Sequence, residues 1–354
     1  MEYATVAPAL VLVLVTTVIL AVGKMGLFSK KWDPRGQHCF VTGGSSGTGL
    51  ALALLLVKRG AHVSIVARNE GKLQKAIAEL EGQRQSAEQI IKSYSFAVDS
   101  EAGSAAALQA ASEAHGGRCP DAFFLCAGAS RPSFWIDQNE ESMRKDMDSS
   151  YGAQAFTALA ATKEMVKQGV KGKVVFVSSV LGYFSIVGYS TYSPGKFALR
   201  GLAEALQSEL ILYGIDVHIV FPGTIYTPGY ETENLTKPKV TLKIEESDSG
   251  STPEYVADAI FKGVQKGKFH ITVDFLGHIF RASSAGSSPR NSYLSDMFFA
   301  LIGYVRGFGV SLRCRSDTVQ IALPIWRLTV DSTVRAHRVE HEDYLRQRGY
   351  TGAK

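Results

Sequence analysis

No CxxC pair occurs in this sequence, and no histidine spacing completes a zinc site, so a structural or catalytic metal is excluded. Its four cysteines, Cys39, Cys119, Cys126 and Cys314, are too few and too scattered for a disulfide framework. Cys39 and Cys126 fall in apolar, strand-like runs and read as reduced core thiols of a cytosol-facing domain. A dense Lys/Arg run with interleaved aromatics is also missing, and the formal net charge is only +5, which excludes a nucleic-acid partner. That mild basic excess suits anionic lipid or a phosphorylated cofactor better. Charged residues are 20% and hydrophobic ones 45%, so bulk disorder is excluded and a sizeable core is available. The length of 354 residues fits one α/β domain of roughly 250 residues with appendages, or two smaller domains.

Charge is absent from residues 4–23, which are rich in Val, Leu, Ile and Ala. Twenty helical residues at about 1.5 Å each reach about 30 Å, the thickness of the bilayer hydrocarbon. Glu2 precedes the run, and Lys24, Lys30, Lys31 and Arg35 follow it. A signal peptide carries its positive charge before the apolar run, so the order favours an uncleaved transmembrane anchor over residues 1–24. The positive-inside tendency then puts the rest of the chain in the cytosol. On that topology the sequon Asn234-Leu235-Thr236 stays bare.

A polar linker over 25–37, with Pro34 and Gly36 as breakers, leads into a regular alternation. Short runs rich in Val, Ile and Phe at 38–42, 62–67, 95–98, 121–126, 174–178, 216–221 and 269–273 alternate with helical patterns such as 50–59. Several runs are continuously apolar, as parallel strands covered on both faces require. The expectation is a Rossmann-type, doubly wound α/β fold over 38–274, with a seven-stranded, mostly parallel sheet. Residues 275–354 form a C-terminal extension. Its aromatic and apolar part to about 312 fits either a membrane-contacting segment or an ordinary core or oligomer helix.

Thr42-Gly43-Gly44-Ser45-Ser46-Gly47-Thr48-Gly49 stands between the first strand and the first helix. Glycines there let backbone N–H groups approach a phosphate, and a helix N-terminus adds positive potential. Gly43, Ser45, Ser46, Gly47 and Gly49 are therefore cofactor candidates. The second strand ends at Ala67, where a site for the unphosphorylated cofactor has an acid; Arg68 and Lys72 follow instead. Guanidinium and ammonium groups pair with a ribose 2′-phosphate, which points to NADPH/NADP+. Tyr192 and Lys196 share a helix face. An ammonium beside a phenol favours phenolate, which would make Tyr192 a workable acid/base. Ser178 and Ser179 end the fifth strand, and a hydroxyl there could bind the oxygen to which Tyr192 donates.

With these residues in order the chain resembles the short-chain dehydrogenase/reductase superfamily over about 38–274. The resemblance implies catalytic roles for Ser179, Tyr192 and Lys196, with Lys196 also holding the nicotinamide ribose. It places Asp99 against adenine and adds Ala127, Gly128, Pro222 and Gly223 to the cofactor contacts. Cys126 stands where the family has Asn before Ala-Gly, and Ser150 stands in the slot of an Asn that supports a relay water. The stretches GGSSG at 43–47, VARNEGKL at 66–73 and KFALRGLAEAL at 196–206, with Thr227-Pro228-Gly229, are similar to the 3-ketodihydrosphingosine reductases. That family implies NADPH-dependent reduction of a long-chain keto-sphingoid base at the cytosolic face of the endoplasmic reticulum membrane. It also implies contact with membrane lipid, a polar cover over 224–251, and a homodimer or homotetramer formed through 153–167 and 197–213. A microsomal steroid or retinoid reductase, and a catalytically silent nucleotide-binding membrane scaffold, are the alternatives.

Overall fold

The computed structural model describes residues 31–305, except 247, 285–287 and 290, together with Thr333, Ala336, His337, Glu340, Asp343, Arg346 and Gln347. The apolar stretch at 4–23 lies outside the described residues. Among those described, no helix is long and apolar enough to cross a membrane.

Strands and helices alternate from the start: β1 (His38–Thr42), α1 (Gly47–Lys58), β2 (His62–Ala67), α2 (Glu70–Glu81), β3 (Ile91–Ser95), α3 (Glu101–Glu113) and β4 (Ala122–Leu125). There follow α4 (Glu140–Met147), α5 (Ala153–Gln168), β5 (Lys173–Val177), α6 (Tyr192–Leu210) and β6 (Asp216–Phe221). The last described part holds α7 (Pro228–Asn234), α8 (Lys239–Glu245), α9 (Pro253–Gln265), β7 (His270–Thr272), α10 (Phe275–Ser283) and α11 (Tyr293–Val305). The seven strands form one sheet in the order β3-β2-β1-β4-β5-β6-β7, and every neighbouring pair is parallel. The order reverses between β1 and β4, where a doubly wound sheet opens a crevice at the strands' carboxyl ends.

Both faces of the sheet are covered, which is why β1 and β4 are wholly buried, β4 apolar throughout and β1 apolar between His38 and Thr42. Leu52 and Leu56 of α1, with Ile260 and Val264 of α9, pack on Val41, Ile65 and Phe124. On the other face, Ala161 and Met165 of α5 and Leu199 of α6 pack on Phe40, Phe123 and Phe176. Trp32 closes the first layer at its lower edge, 6.1 Å from Phe124 and 5.9 Å from Phe261 between ring centroids.

The third strand lies at Ile91–Ser95, earlier than the apolar run at 95–98 suggests. As the sheet's edge, paired only to β2, it buries only Ile91 fully and leaves Lys92 and Ser95 exposed. Continuous hydrophobicity marks central strands and misses this one.

Six of the eleven helices described begin on a capping side chain: Asn69 for α2, Ser100 for α3, Asn139 for α4, Thr227 for α7, Thr252 for α9 and Asp274 for α10. Helix α1 differs. Ser46 makes no capping hydrogen bond, and no acid occupies the first turn. The N–H groups there remain open to a ligand.

Helices α10 and α11 are fastened to this framework. Ile279 and Phe280 are buried, and the Phe280 ring lies tilted against Phe184 with 4.2 Å between centroids. Arg281 pairs with Asp296 at 2.6 Å, both side chains almost wholly enclosed. Asn291 Nδ2 donates to the His270 carbonyl. The outer side of α11 exposes Leu294, Met297, Phe298 and Leu301. At the amino ends of β1 and β2, His38 stacks on His115 at 3.6 Å, with His62 edge-on to His115 at 5.4 Å.

Candidate active site

The carboxyl ends of the strands and the segments that follow them enclose a cavity of about 1580 Å³. That exceeds the usual ~300–1,000 Å³ of a site for one small ligand, so there is room for a dinucleotide and a second molecule. Gly43, Ser45, Ser46, Gly47, Gly49, Arg68, Lys72, Asp99, Ala127, Gly128, Ser179, Tyr192, Lys196, Pro222 and Gly223 all line it.

One end is made mainly of backbone. Gly43 has φ +68° and donates its N–H to the Val66 carbonyl at 2.8 Å. A Cβ on Gly43 would stand 3.0 Å from Ala127 N, and one on Gly49 would collide with the Gly43 carbonyl. Side chains are therefore excluded where the turn folds under α1. Thr42 Oγ1 accepts from Ala127 N at 3.1 Å and fixes the 126–128 turn beside the glycines. This cradle, with the uncapped start of α1, fits a pyrophosphate. Arg68 and Lys72 project from the end of β2 and the first turn of α2, both exposed. Asp99, just before α3, lines the same end.

The other end carries the reactive side chains. Asp146 receives the Thr191 hydroxyl at 2.6 Å and Arg131 at 3.0 Å, which locks the start of α6 and so the position of Tyr192. The Ser178 hydroxyl is committed to the Lys196 carbonyl at 3.0 Å. Ser179 Oγ accepts the Leu181 N–H at 3.2 Å, and its hydroxyl is the serine group that acts on the Tyr192 phenol. Lys196 Nζ donates to the Val177 carbonyl at 3.0 Å and lies 5.4 Å from the centre of the Tyr192 ring. Burial brings Lys196 down to about 8.

Influences other than the expected one of Lys196 also act on Tyr192. The phenol is pushed up, by burial first and by the Glu233 carboxylate second, and the Ser179 hydroxyl is what opposes the rise. Lys196 Nζ is turned toward the Val177 carbonyl of β5 and stands behind the Tyr192 ring. Two departures from the family pattern also find their places. Burial pushes the Cys126 thiol up to about 12, leaving it an unreactive wall residue. Ser150 sits in a π-helical turn, Asp148–Gly152, where its buried hydroxyl has no hydrogen-bond partner among the described residues and packs against Gly195.

Sequence reasoning missed a group at this end. Glu233, Glu245, Asp248 and Tyr189 line the cavity with Tyr192. The Tyr189 hydroxyl donates toward Glu233 Oε1 at 2.5 Å and Glu245 Oε1 at 2.8 Å. Lys237, its side chain fully buried, reaches Glu233 at 3.0 Å and Glu245 at 2.6 Å. Burial alone would lower Lys237, but the two glutamates together hold it above the ordinary lysine value. Asp248 is raised to about 6, by desolvation first and then by Glu245 and Asp274. The i, i+4 spacing of Glu233 and Lys237 was the available signal, and it marks an ion pair without saying what the pair faces.

Residues 37–238 match the short chain dehydrogenase family, and the chain belongs to that family. Membership makes it an oxidoreductase with a nicotinamide cofactor, in keeping with the cradle at α1. Within the family it is similar to the 3-ketodihydrosphingosine reductase of Cryptococcus neoformans var. neoformans serotype D, 41% identical over 319 residues and 90% of each chain. It is also 36% identical over 258 residues to the 3-dehydrosphinganine reductase of Danio rerio, over 73% of this chain and 77% of that one. A solved short-chain type dehydrogenase/reductase from Mycobacterium ulcerans superposes with TM-score 0.60 at 26% identity, over 69% of this chain and 90% of the other.

Proposed function

We propose that this protein reduces the C3 ketone of 3-ketodihydrosphingosine to dihydrosphingosine with NADPH. The observation that carries the reading is the Ser179–Tyr192 hydroxyl pair in a cavity whose far end is a phosphate cradle flanked by Arg68 and Lys72. The names of the relatives supply the substrate, and the two cations support the phosphorylated cofactor.

The glycine turn and the start of α1 would hold the pyrophosphate, with Arg68 and Lys72 on the 2′-phosphate. When bound, the reduced nicotinamide supplies hydride to the carbonyl carbon. Ser179 holds the carbonyl oxygen by a hydrogen bond. Tyr192 gives that oxygen a proton as negative charge develops on it. Lys196, held beside β5, contributes positive charge behind the Tyr192 ring. Helices α7 and α8 line the substrate end of the cavity.

The same reading takes residues 4–23 as a membrane anchor, with the catalytic part on the cytosolic side of the endoplasmic reticulum. The uncharged run and the lysines after it support this. A membrane-dissolved substrate and the exposed apolar side of α11 suit it too. Exposed Leu159, Val166 and Phe197 on α5 and α6 favour a homodimer or homotetramer through those helices.

Purified full-length protein in detergent, given NADPH and 3-ketodihydrosphingosine, is expected to oxidise the cofactor and yield dihydrosphingosine, identified by mass. Turnover of a steroid or retinal in preference to the keto-sphingoid base would replace this reading with another. A glycan on Asn234 in the native cell would reverse the orientation.

A further inference from the structure

The acidic group beside Tyr192 has no part in the hydride and proton steps, and by itself it opposes them. Reduction builds negative charge on the ketone oxygen at the moment Tyr192 donates. Glu233 Oε1 accepts from the Tyr189 hydroxyl at 2.5 Å, the Tyr189 ring lies 5.9 Å from that of Tyr192, and both Glu233 and Tyr192 line the same cavity. A carboxylate there repels the forming alkoxide in a partly desolvated space, where such interactions are strong. Its neighbours do not cancel it. Glu233 and Glu245 together set two negative charges against the single ammonium of Lys237, and Asp248 adds a further acid on the same wall. The neutral Tyr189 hydroxyl lies between the two glutamates, gives its single proton to one of them at a time and contributes no charge.

The conflict disappears if the ligand brings a cation. The Ser179–Tyr192 pair independently fixes where the ketone oxygen sits. A positive group on the carbon next to the carbonyl is then held close to that oxygen, in the part of the cavity that Glu233 lines. The network around Glu233 also keeps its carboxylate in place. Lys237 and the Tyr189 hydroxyl both contact Oε1. That fixes the side chain at the wall without spending the second oxygen.

We propose that Glu233 is a specificity-determining residue that receives a protonated amino group on the carbon adjacent to the ketone, so that the cavity selects α-amino ketones over neutral long-chain ketones. This rests on the assignment of ketone reduction at Tyr192, and it names what distinguishes the accepted ketone. Substrate ammonium and Glu233 carboxylate neutralise each other on binding. The repulsion is thereby lifted for the amino ketone alone.

The test uses full-length protein with NADPH and three ketones: 3-ketodihydrosphingosine, its N-acetyl derivative, and a hydroxyketone of equal chain length lacking the amine. Charge-assisted hydrogen bonds set the expected scale, a preference of roughly ten- to a hundred-fold in kcat/KM for the free amine. Glu233→Gln keeps an oxygen for Tyr189 and Lys237 and is expected to lose most of that preference, with the rise in KM confined to the amino ketone. Glu245→Gln leaves Glu233 charged and is expected to retain the preference. Equal use of all three ketones by the unaltered protein would overturn the ammonium site and leave ketone reduction standing. Loss of rate on every ketone in equal proportion in Glu233→Gln would make Glu233 a prop for α7 and α8, and so overturn its assignment. Equal loss of preference in the two glutamine variants would do the same. Failure to reduce any of the ketones would instead defeat the reductase reading from which the proposal starts.

Discussion

The two ends of the cavity are built by different means. At the cofactor end the walls are backbone: strand ends, a glycine turn and the uncapped start of α1, with Arg68 and Lys72 as exposed cations at the rim. At the substrate end the walls are side chains from β5, α6, α7 and α8, and their charge is acidic and partly buried. A pyrophosphate offers the same oxygens in every dinucleotide, so fixed N–H groups serve it. A particular ketone is told from others only by particular side chains. The polarity of the cavity, basic at one end and acidic at the other, also orders its ligands, because each end repels what the other attracts.

The sharpest break comes where the ends meet. Tyr192→Phe is expected to lower ketone reduction by roughly 10²–10⁴-fold while NADPH binding, read by fluorescence titration, stays within a factor of two or so. Undiminished reduction would remove Tyr192 from the mechanism. Next in size is Lys237→Met, which leaves Glu233 and Glu245 facing each other without their ammonium. Removing one partner of a buried ion network costs about 3 kcal/mol or more, so the thermal midpoint should fall and KM for the ketone should rise. If the two ends are as separate as they look, the NADPH dissociation constant will not follow. Arg68→Ala makes the reciprocal cut. It should weaken NADPH about ten- to a hundred-fold and NADH hardly at all, and equal losses would mean that Arg68 does not read the 2′-phosphate.

The smallest effect is a control at the strands' other ends. His38 is lowered to about 2, by burial first and then by His115 and His62, and His115 is lowered mainly by burial. Both folded values lie below the ordinary 6.5, so below about pH 6.5 the unfolded chain binds protons that the folded one refuses. Stability is therefore complete above pH 6.5 and drains away as pH falls toward the folded values. A fully depressed histidine accounts for about 2 kcal/mol by pH 5. Urea unfolding at pH 7 and pH 5 should show the loss, with a smaller slope in His38→Phe. A variant with the slope intact would shift the cause to other buried histidines such as His270.

The contrast between the two ends also explains what could be read from sequence. The sheet was legible because six strands are apolar runs, and the cofactor end because a glycine turn is local. Edge strand β3 was not, since with one neighbour it leaves Lys92 and Ser95 exposed. Resemblance alone chose Ser179 over Ser178, and the fold adds a reason by giving the Ser178 hydroxyl to the Lys196 carbonyl. The pairing of Tyr192 with Lys196 was visible as a spacing, but its electrostatics were not, because the deciding carboxylate lies forty-one residues away at Glu233. Residues 233, 237 and 245 read as a polar cover, and only the folding of α7 and α8 over Tyr189 makes them one network.

The Ser150 hydroxyl occupies the space that a Cβ on Gly195 would need, and Gly195 lies between Tyr192 and Lys196 on α6. The two positions are thus an epistatic pair. The longer Asn expected by family resemblance at 150 has to find its room elsewhere, and alanine at 195 would evict the serine or lift the helix that carries both reactive side chains. A lineage passing between these states must change the neighbours together or cross an intermediate in which the tyrosine is displaced. The unspecified letters of a catalytic motif can therefore carry as much history as the specified ones.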